Sequence, residues 1–418
     1  MNYVLVGNSA AGLFAAESIR QQDSSAEITV LTADTYPSYS RCLTTYYMAG
    51  DIPETQLFLR SAEALQALRL TVHYGCSVSG LDPTHRVVFA ASGEHYSYDK
   101  CLIATGASAV SLEIPGSTLP EVFTLRHLDD VQQIKAIVAP GRQAVIIGGG
   151  LVSLKSAYAL LKQGLKVHVV VSSGQILSQM LNEEAAKLLQ EHLVKHSLNI
   201  VLNQDVTAIE GIGHVQAVRL RSGMNLPADL VIVGKGVRPN TQPFLTSGLT
   251  IRQGILVNEH LETNLPDVYA AGDVAEAWDR LHQTQRLNPI WPNATTQGRI
   301  AGANMSGLAL TYPGSMGMNA VDFFGLRIIS VGIVKLPTSP PWRTEDFYLQ
   351  HGSGHPTYQR LVWQDETLKG CVLVGNTERA GTLTALIQAN QPLSEPIRNT
   401  LRRGKPSSVL PYLRANVS

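Results

Sequence analysis

The sequence predicts an α/β fold with two dinucleotide-binding units, and three observations carry that prediction. The apolar run Tyr3-Val4-Leu5-Val6 leads directly into Gly7-Asn8-Ser9-Ala10-Ala11-Gly12. Ala144-Val145-Ile146-Ile147 leads in the same way into Gly148-Gly149-Gly150-Leu151-Val152-Ser153. Each loop is followed by a helical stretch and a second apolar strand, Glu27–Leu31 and Lys166–Val171. In such a unit glycines let the backbone turn sharply and approach a pyrophosphate, while the helix N-terminus supplies free N–H donors and a partial positive charge. One glycine loop alone reads equally well as an ordinary turn, but its recurrence in the same context does not.

The elements follow in order. Strand Tyr3–Val6, a helix around Leu13–Gln21 and strand Glu27–Leu31 form the first unit. Asp34 stands just past that strand, at the distance of about 20 residues where an acid accepts a ribose hydroxyl of an adenine dinucleotide. An amphipathic stretch, Ala62–Leu70, and short strands at Thr71–Tyr74 and Arg86–Ala90 precede Tyr98 to Gly106. Pro115-Gly116 marks a crossover into a new domain. The second unit runs from Val122 to Val233, with helix Leu154–Gln163 closed by Gly164 and a β-rich portion at Ala217–Arg221 and Asp229–Val233. Ile255–Val257 and Asp267 to Val274 read as a return to the first domain, and Trp291–Gly307 as a helix of small residues. From about Tyr312 strands dominate: Asn319–Ile329, Tyr358–Trp363 and Gly370–Val374. Helical Ala380–Gln388 and a proline-punctuated tail, Pro392 to Leu413, follow. Pro337 and Pro340-Pro341 suggest an exposed loop.

Composition narrows the function class. At 418 residues the chain exceeds one ordinary core and divides into two to four domains. Hydrophobic residues at 44% and charged residues at 16% describe a soluble globular chain. Lys+Arg 33 balances Asp+Glu 33, so no global field draws nucleic acid or an anionic membrane. No apolar run reaches about 18 residues, which excludes a membrane span. Met1-Asn2 leads straight into the first strand without a secretory signal pattern, so a cytoplasmic location is expected. Cys42, Cys76, Cys101 and Cys371 lie far apart without a CxxC pair. Free thiols in a reducing compartment are expected, and neither iron–sulfur nor zinc ligation by this chain; no metal site is predicted.

Five motifs in order, Gly7–Gly12, Ala104-Thr105-Gly106, Gly148–Ser153, Val231 to Asn240 and Tyr269-Ala270-Ala271-Gly272-Asp273, resemble the FAD-dependent pyridine nucleotide-disulfide oxidoreductase superfamily over essentially the whole chain. Tyr39-Ser40-Arg41, Asn293 to Arg299, Gln359 to Trp363 and Leu373-Val374-Gly375 look like the flavin portion of NAD(P)H nitrite reductases and of rubredoxin and ferredoxin reductases. The resemblance implies two Rossmann-like domains, for FAD and NAD(P), plus a C-terminal α+β interface domain that implies a homodimer. The expected ranges are 1–113 and 241–311 for FAD, 114–240 for NAD(P) and 312–418 for the interface. It implies that Gly7, Ser9, Ala10, Ala11 and Gly12 hold the FAD pyrophosphate, Asp34 the adenosine ribose, and Gly272-Asp273 a ribityl hydroxyl or its pyrophosphate neighbour. Arg41 would lie near the flavin and Ala104, Thr105 and Gly106 would close over it. Gly148, Gly150, Leu151 and Val152, with Ser172 and Gly236, would hold NADH or NADPH.

The chain departs from the family pattern in places. Ser9 replaces the middle glycine of the first loop, where its hydroxyl can still donate a hydrogen bond. Ser153 takes the third glycine position of the second loop, where close helix–strand packing is wanted. Lys155 stands where relatives usually carry glutamate; it reads either as a cation stabilising an anionic reduced flavin or a phosphate, or as a solvated helix residue. After strand Lys166–Val171 the chain shows Ser172-Ser173, with neither an acid to repel a 2′-phosphate nor an arginine to attract one. The choice between NADH and NADPH stays open, with a lean towards tolerance of both.

Cys42 opens the helical stretch Leu43–Ala49, near where single-cysteine relatives, the coenzyme A disulfide reductases and NADH oxidases, carry a redox cysteine. A helix N-terminus and Arg41 would lower its pKa; the other reading is a packed thiol lining the flavin. Cys76, Cys101 and Cys371 read as buried small hydrophobes. The resemblance implies hydride transfer from NAD(P)H to flavin N5 and release of electrons to a rubredoxin, a ferredoxin-like protein or a metalloenzyme. Two alternatives stand beside it: a thiol or oxygen enzyme using Cys42, and a non-catalytic FAD-bearing scaffold. Arg402, Arg403 and Lys405 are candidates for docking an acidic carrier, or simply a solvated face.

Overall fold

The computed structural model describes residues 1–336, 341–348 and 357–402. Pro337, Pro340, Arg403, Lys405 and the tail beyond Arg402 lie outside the described residues. In chain order the elements that matter to the sites are β1 (Asn2–Val6), α1 (Ala10–Gln22), β2 (Glu27–Leu31), α2 (Thr44–Ala49), β3 (Leu70–His73), β4 (Lys100–Ile103), β5 (Gln143–Ile147), α3 (Leu151–Lys162), β6 (Lys166–Val171), α4 (Glu183–Lys195), β7 (Asn199–Leu202), β8 (Leu230–Val233), β9 (Val268–Ala270) and α5 (Trp291–Met305). The C-terminal sheet follows: β10 (Met318–Phe323), β11 (Leu326–Gly332), β12 (Trp342–Tyr348), β13 (Tyr358–Gln364) and β14 (Thr367–Val374), with helices α6 (Ala380–Ala389) and α7 (Glu395–Arg402).

The chain forms two compact units. The first takes Met1–Val110, Thr124–Ala136 and Gly236–Met316. Its sheet runs β9-β4-β1-β2-β3 with all strands parallel, so its middle strands are buried on both faces and read as unbroken apolar runs. Helices α1 and α5 pack backbone to backbone. A Cβ on Gly298 would stand 2.3 Å from the Ala11 carbonyl oxygen, and one on Gly302 2.4 Å from that of Ala15. The small residues read from the sequence at 291–307 are there for this contact.

The second unit takes Ser111–Phe123, Ile137–Lys235 and residues from Gly317 onward. It contains a second five-stranded sheet, β7-β6-β5-β8 with Val122–Thr124 at its edge. Its pairs β5–β6, β5–β8 and β6–β7 are parallel. It also holds a three-stranded antiparallel meander (Val206–Glu210, Ala217–Leu220, Asn225–Pro227) and the sheet β10-β11-β14-β13-β12. The strand expected at 319–329 is a hairpin: Phe324, at φ +51°, and Gly325 turn β10 back into β11. Helix α4 and strand β12 had no counterpart in the sequence reading.

Candidate cofactor sites

In the first unit β1 ends in a loop that glycine alone can make. Gly7 sits at φ +120°, and a Cβ there would stand 2.1 Å from the Ala104 carbonyl oxygen. A Cβ on Gly12 would stand 1.9 Å from the Gly7 carbonyl oxygen. Ser9 takes the N-cap with extended backbone and makes no capping bond through its hydroxyl. The helical ladder begins at Leu13, whose N–H donates to the Ser9 carbonyl at 2.9 Å. The N–H groups of Ala10, Ala11 and Gly12 precede that bond and stand outside the ladder. Three aligned donors at the positive end of a buried helix form a cradle for a pyrophosphate, and FAD fits it.

Asp34 follows β2, and its carboxylate takes two partners. The Arg41 guanidinium donates at 2.6 Å, and His127 Nδ1 lies 2.9 Å away. Burial works against the charged form of Asp34, but the His127 hydrogen bond and the Arg41 charge outweigh it and hold the carboxyl below the ordinary aspartate range. Arg41 also donates to the Arg126 carbonyl at 2.7 Å and to the Tyr39 hydroxyl at 3.0 Å. That hydroxyl accepts the Leu128 N–H, and burial pushes it up to about 12.

Asp273, at the turn after β9, accepts from the Arg126 guanidinium at 2.7 Å. Arg126 is fixed in turn by donating through Nε to the Ala107 carbonyl at 2.8 Å. Gly272 has φ +84°, and its N–H donates to Gln297 Oε1 at 2.7 Å. The Ala104–Gly106 turn is braced by Asn240: its Nδ2 donates to the Thr105 carbonyl, its N–H donates to the Gly106 carbonyl, and its carbonyl accepts from the Thr105 hydroxyl. Gly236 at φ +94° gives its carbonyl to the Val110 N–H.

Cys42 is exposed, beside α2. Burial of its surroundings and the Asp273 carboxylate push the thiol up from its ordinary value, and the Arg126 charge only partly opposes them. The Arg41 guanidinium is turned to Asp34. Cys101 and Cys371 are buried as expected, but Cys76 is only half-buried.

The second unit repeats the cradle. Gly148, at φ +121°, would place a Cβ 2.3 Å from the Gly234 carbonyl oxygen. Gly150 is the N-cap of α3, and Leu154 is the first residue to donate into the ladder, at 3.1 Å to the Gly150 carbonyl. The N–H groups of Leu151, Val152 and Ser153 precede it, and a nicotinamide dinucleotide fits these donors. Ser153 is fully buried, with its hydroxyl donating to the Gly234 carbonyl at 3.3 Å. The room for its side chain comes from Gly234, where a Cβ would stand only 2.0 Å from the serine oxygen. Ser172 is exposed at the end of β6.

Lys155 is not a solvated helix residue. It is 6% exposed, donates to the Asp322 carbonyl at 2.7 Å, and sits 4.8 Å from the centre of the Phe323 ring. The ammonium ties α3 to the end of β10, a contact made by residues far apart in sequence.

Arg126, His127, Asn240, Gln297 and Gly234 had been given no role. A local signal existed for the first two: Asp129-Asp130 opens the helix Leu128–Ile137, and the Asp130 carboxylate accepts the N–H groups of Arg126 and His127 at 2.7 and 2.8 Å.

Comparison with known proteins agrees with this geometry. The family model described as pyridine nucleotide-disulphide oxidoreductase matches residues 1–298. The chain is 32% identical to the NADH-dependent phenylglyoxylate dehydrogenase subunit epsilon of Aromatoleum evansii, covering 80% of each chain. It is 28% identical to the nitrite reductase [NAD(P)H] of Bacillus subtilis (strain 168) over 94% of its own length, but spans only 48% of that enzyme. Among solved structures, the NAD-dependent persulfide reductase from A. fulgidus superposes with a TM-score of 0.87 at 27% identity, covering 94% of this chain and 77% of that one. Two glycine cradles and the family match lead to one conclusion: the chain is an FAD- and NAD(P)H-dependent oxidoreductase and belongs to the pyridine nucleotide-disulphide oxidoreductase family.

Proposed function

We propose that the protein passes electrons from NADH or NADPH, by way of FAD, to a separate redox protein: a rubredoxin, a ferredoxin-like protein or a metalloenzyme. The observation that carries the reading is the pair of cradles, one in each unit, each locked by glycine against backbone and each opening three N–H donors. FAD supplies the conversion between two-electron and one-electron chemistry. The chain's own residues bind and orient. Gly7 to Gly12 take a pyrophosphate, Asp34 and Asp273 offer fixed carboxylates, Asn240 stiffens the Ala104–Gly106 turn, and Gly148 to Val152 take the second dinucleotide. That one relative is named as a subunit and another is twice this chain's length supports an acceptor outside the chain. We assign FAD to the first unit, which draws 124–136 and 236–240 out of the range 114–240 expected for NAD(P), NAD(P) to residues 111–123 and 137–235, and dimerisation to the segment from Gly317 onward, in a cytoplasmic homodimer.

The raised pKa of the Cys42 thiol favours this reading over a thiol enzyme, because the thiolate is the reactive form. The test is an anaerobic titration of the yellow protein with NADH and with NADPH, followed by addition of oxidised rubredoxin. Bleaching by the nucleotide and reoxidation by the carrier are expected. Bleaching without reoxidation by any one-electron carrier, together with turnover lost in Cys42→Ser, would transfer the function to the thiol. FAD retained without bleaching would leave a scaffold.

A further inference from the structure

The strand ends of the second unit bring together cations that the sequence keeps apart. After β6 no arginine follows, only Ser172-Ser173. After β7, however, the Asn203 N–H donates to the Ser173 carbonyl and the Gln204 N–H to the Val171 carbonyl, which seats the next residue, Asp205, beside the end of β6. Asp205 gathers two cations there. Arg221, at the end of strand Ala217–Leu220, reaches its Oδ2 at 2.7 Å, and Lys235, following β8, lies 4.0 Å from its Oδ1. The Arg221 N–H also donates to the Asp205 carbonyl at 2.8 Å. Arg221 has 74% of its side chain exposed and Lys235 29%, so both remain open to solvent. The neighbouring charges of the meander, Arg219 and Glu210, pair with each other, so this rim carries one net positive charge, and Ser172, next in the chain to the Val171 that receives the Gln204 N–H, is exposed.

We propose that Arg221 and Lys235, held by Asp205 and joined by the Ser172 hydroxyl, form a subsite for the 2′-phosphate of NADPH. This rests on the reading of the second unit as the NAD(P) unit. A phosphate monoester brings close to two negative charges and three acceptor oxygens, which suits a guanidinium and an ammonium converging from two sides. The carboxylate at the centre holds them in place but weakens the site, so NADH is tolerated as well.

The test uses the FAD-loaded protein and two probes without a nicotinamide ring, 2′,5′-ADP and 5′-AMP, titrated by calorimetry. The native protein should bind 2′,5′-ADP at least about tenfold more tightly than 5′-AMP, with the gap shrinking as salt rises. Arg221→Gln with Lys235→Gln should erase the gap while leaving 5′-AMP unchanged, and Asp205→Asn should widen it. Equal binding of the two probes by the native protein, or a gap that survives the double substitution, overturns the subsite while sparing the dinucleotide reading. Binding of neither probe overturns both. Retained flavin absorbance and an unchanged melting curve verify that the exposed substitutions leave the fold intact.

Discussion

Ser153 and Gly234 fit each other as a pair: the serine hydroxyl hydrogen-bonds the Gly234 carbonyl, and the space it fills is the space a Cβ on residue 234 would need. A serine at the third glycine position is therefore accommodated by a glycine on the neighbouring strand end. Gly234→Ala should cost about 1–3 kcal/mol in urea denaturation of the second unit. Ser153→Gly in the same chain should recover most of it. Additive losses in the double variant would show that the two positions do not share the space.

Gly7→Ala meets the Ala104 carbonyl oxygen at a positive φ, and no side-chain rotation relieves either problem. The flavin bound per purified chain, read from the visible band against total protein, should fall to about a tenth or less. Gly93→Ala, also at positive φ but with open space around it, serves as the control and should keep its flavin.

The pH dependence of stability should carry the mark of Asp34. Its folded pKa lies below the unfolded value, so the contribution is fully present above the ordinary carboxylate range and is lost as pH falls through the folded value. Melting curves of native protein and Asp34→Asn should therefore differ most above the ordinary carboxylate range, at about pH 5 and higher, and draw together as pH falls below that range. A gap that grows on acidification would reverse the assignment.

Alkylation of Cys42 by iodoacetamide, followed by peptide mass spectrometry, should be slower at neutral pH than that of free cysteine, with a midpoint above the usual thiol value of about 8.5. Asp273→Asn removes a charge that raises the thiol and should shift the midpoint down.

Lys155→Met keeps most of the volume but removes the bond to the Asp322 carbonyl, and should cost about 1–3 kcal/mol in the second unit. Lys155→Glu restores the residue usual in the resembled fold, yet it sets a carboxylate against that carbonyl and should cost more. A more stable glutamate variant would refute the tie between α3 and β10.

The glycine loops and the parallel strands were legible because their requirements are local: a positive φ, a close backbone, an unbroken apolar run. β2 and β6 have the bounds the sequence suggested. Helix α4 escaped because Glu183, Glu184, Lys187 and Glu191 dilute a narrow buried face of Ala185, Ala186, Leu189 and Leu193. Strand β12 is an edge strand of mixed polarity that its pairing with β13 defines. The partners of Asp34, Asp273 and Lys155 could not be read from spacing, because His127, Arg126 and Asp322 reach them across the fold. Arg221 and Lys235 converge on Asp205 for the same reason.

The first unit takes its last strand, β9, and the helix α5 that packs on α1 from the far side of an inserted segment. From the end of β4 at Ile103, the opening Rossmann strands therefore wait until Met305 is made, a delay of roughly 10–40 s at about 5–20 residues per second. In that interval the edge of β4 that β9 will cover stays unpaired and open to mispairing, a direct consequence of the discontinuous topology.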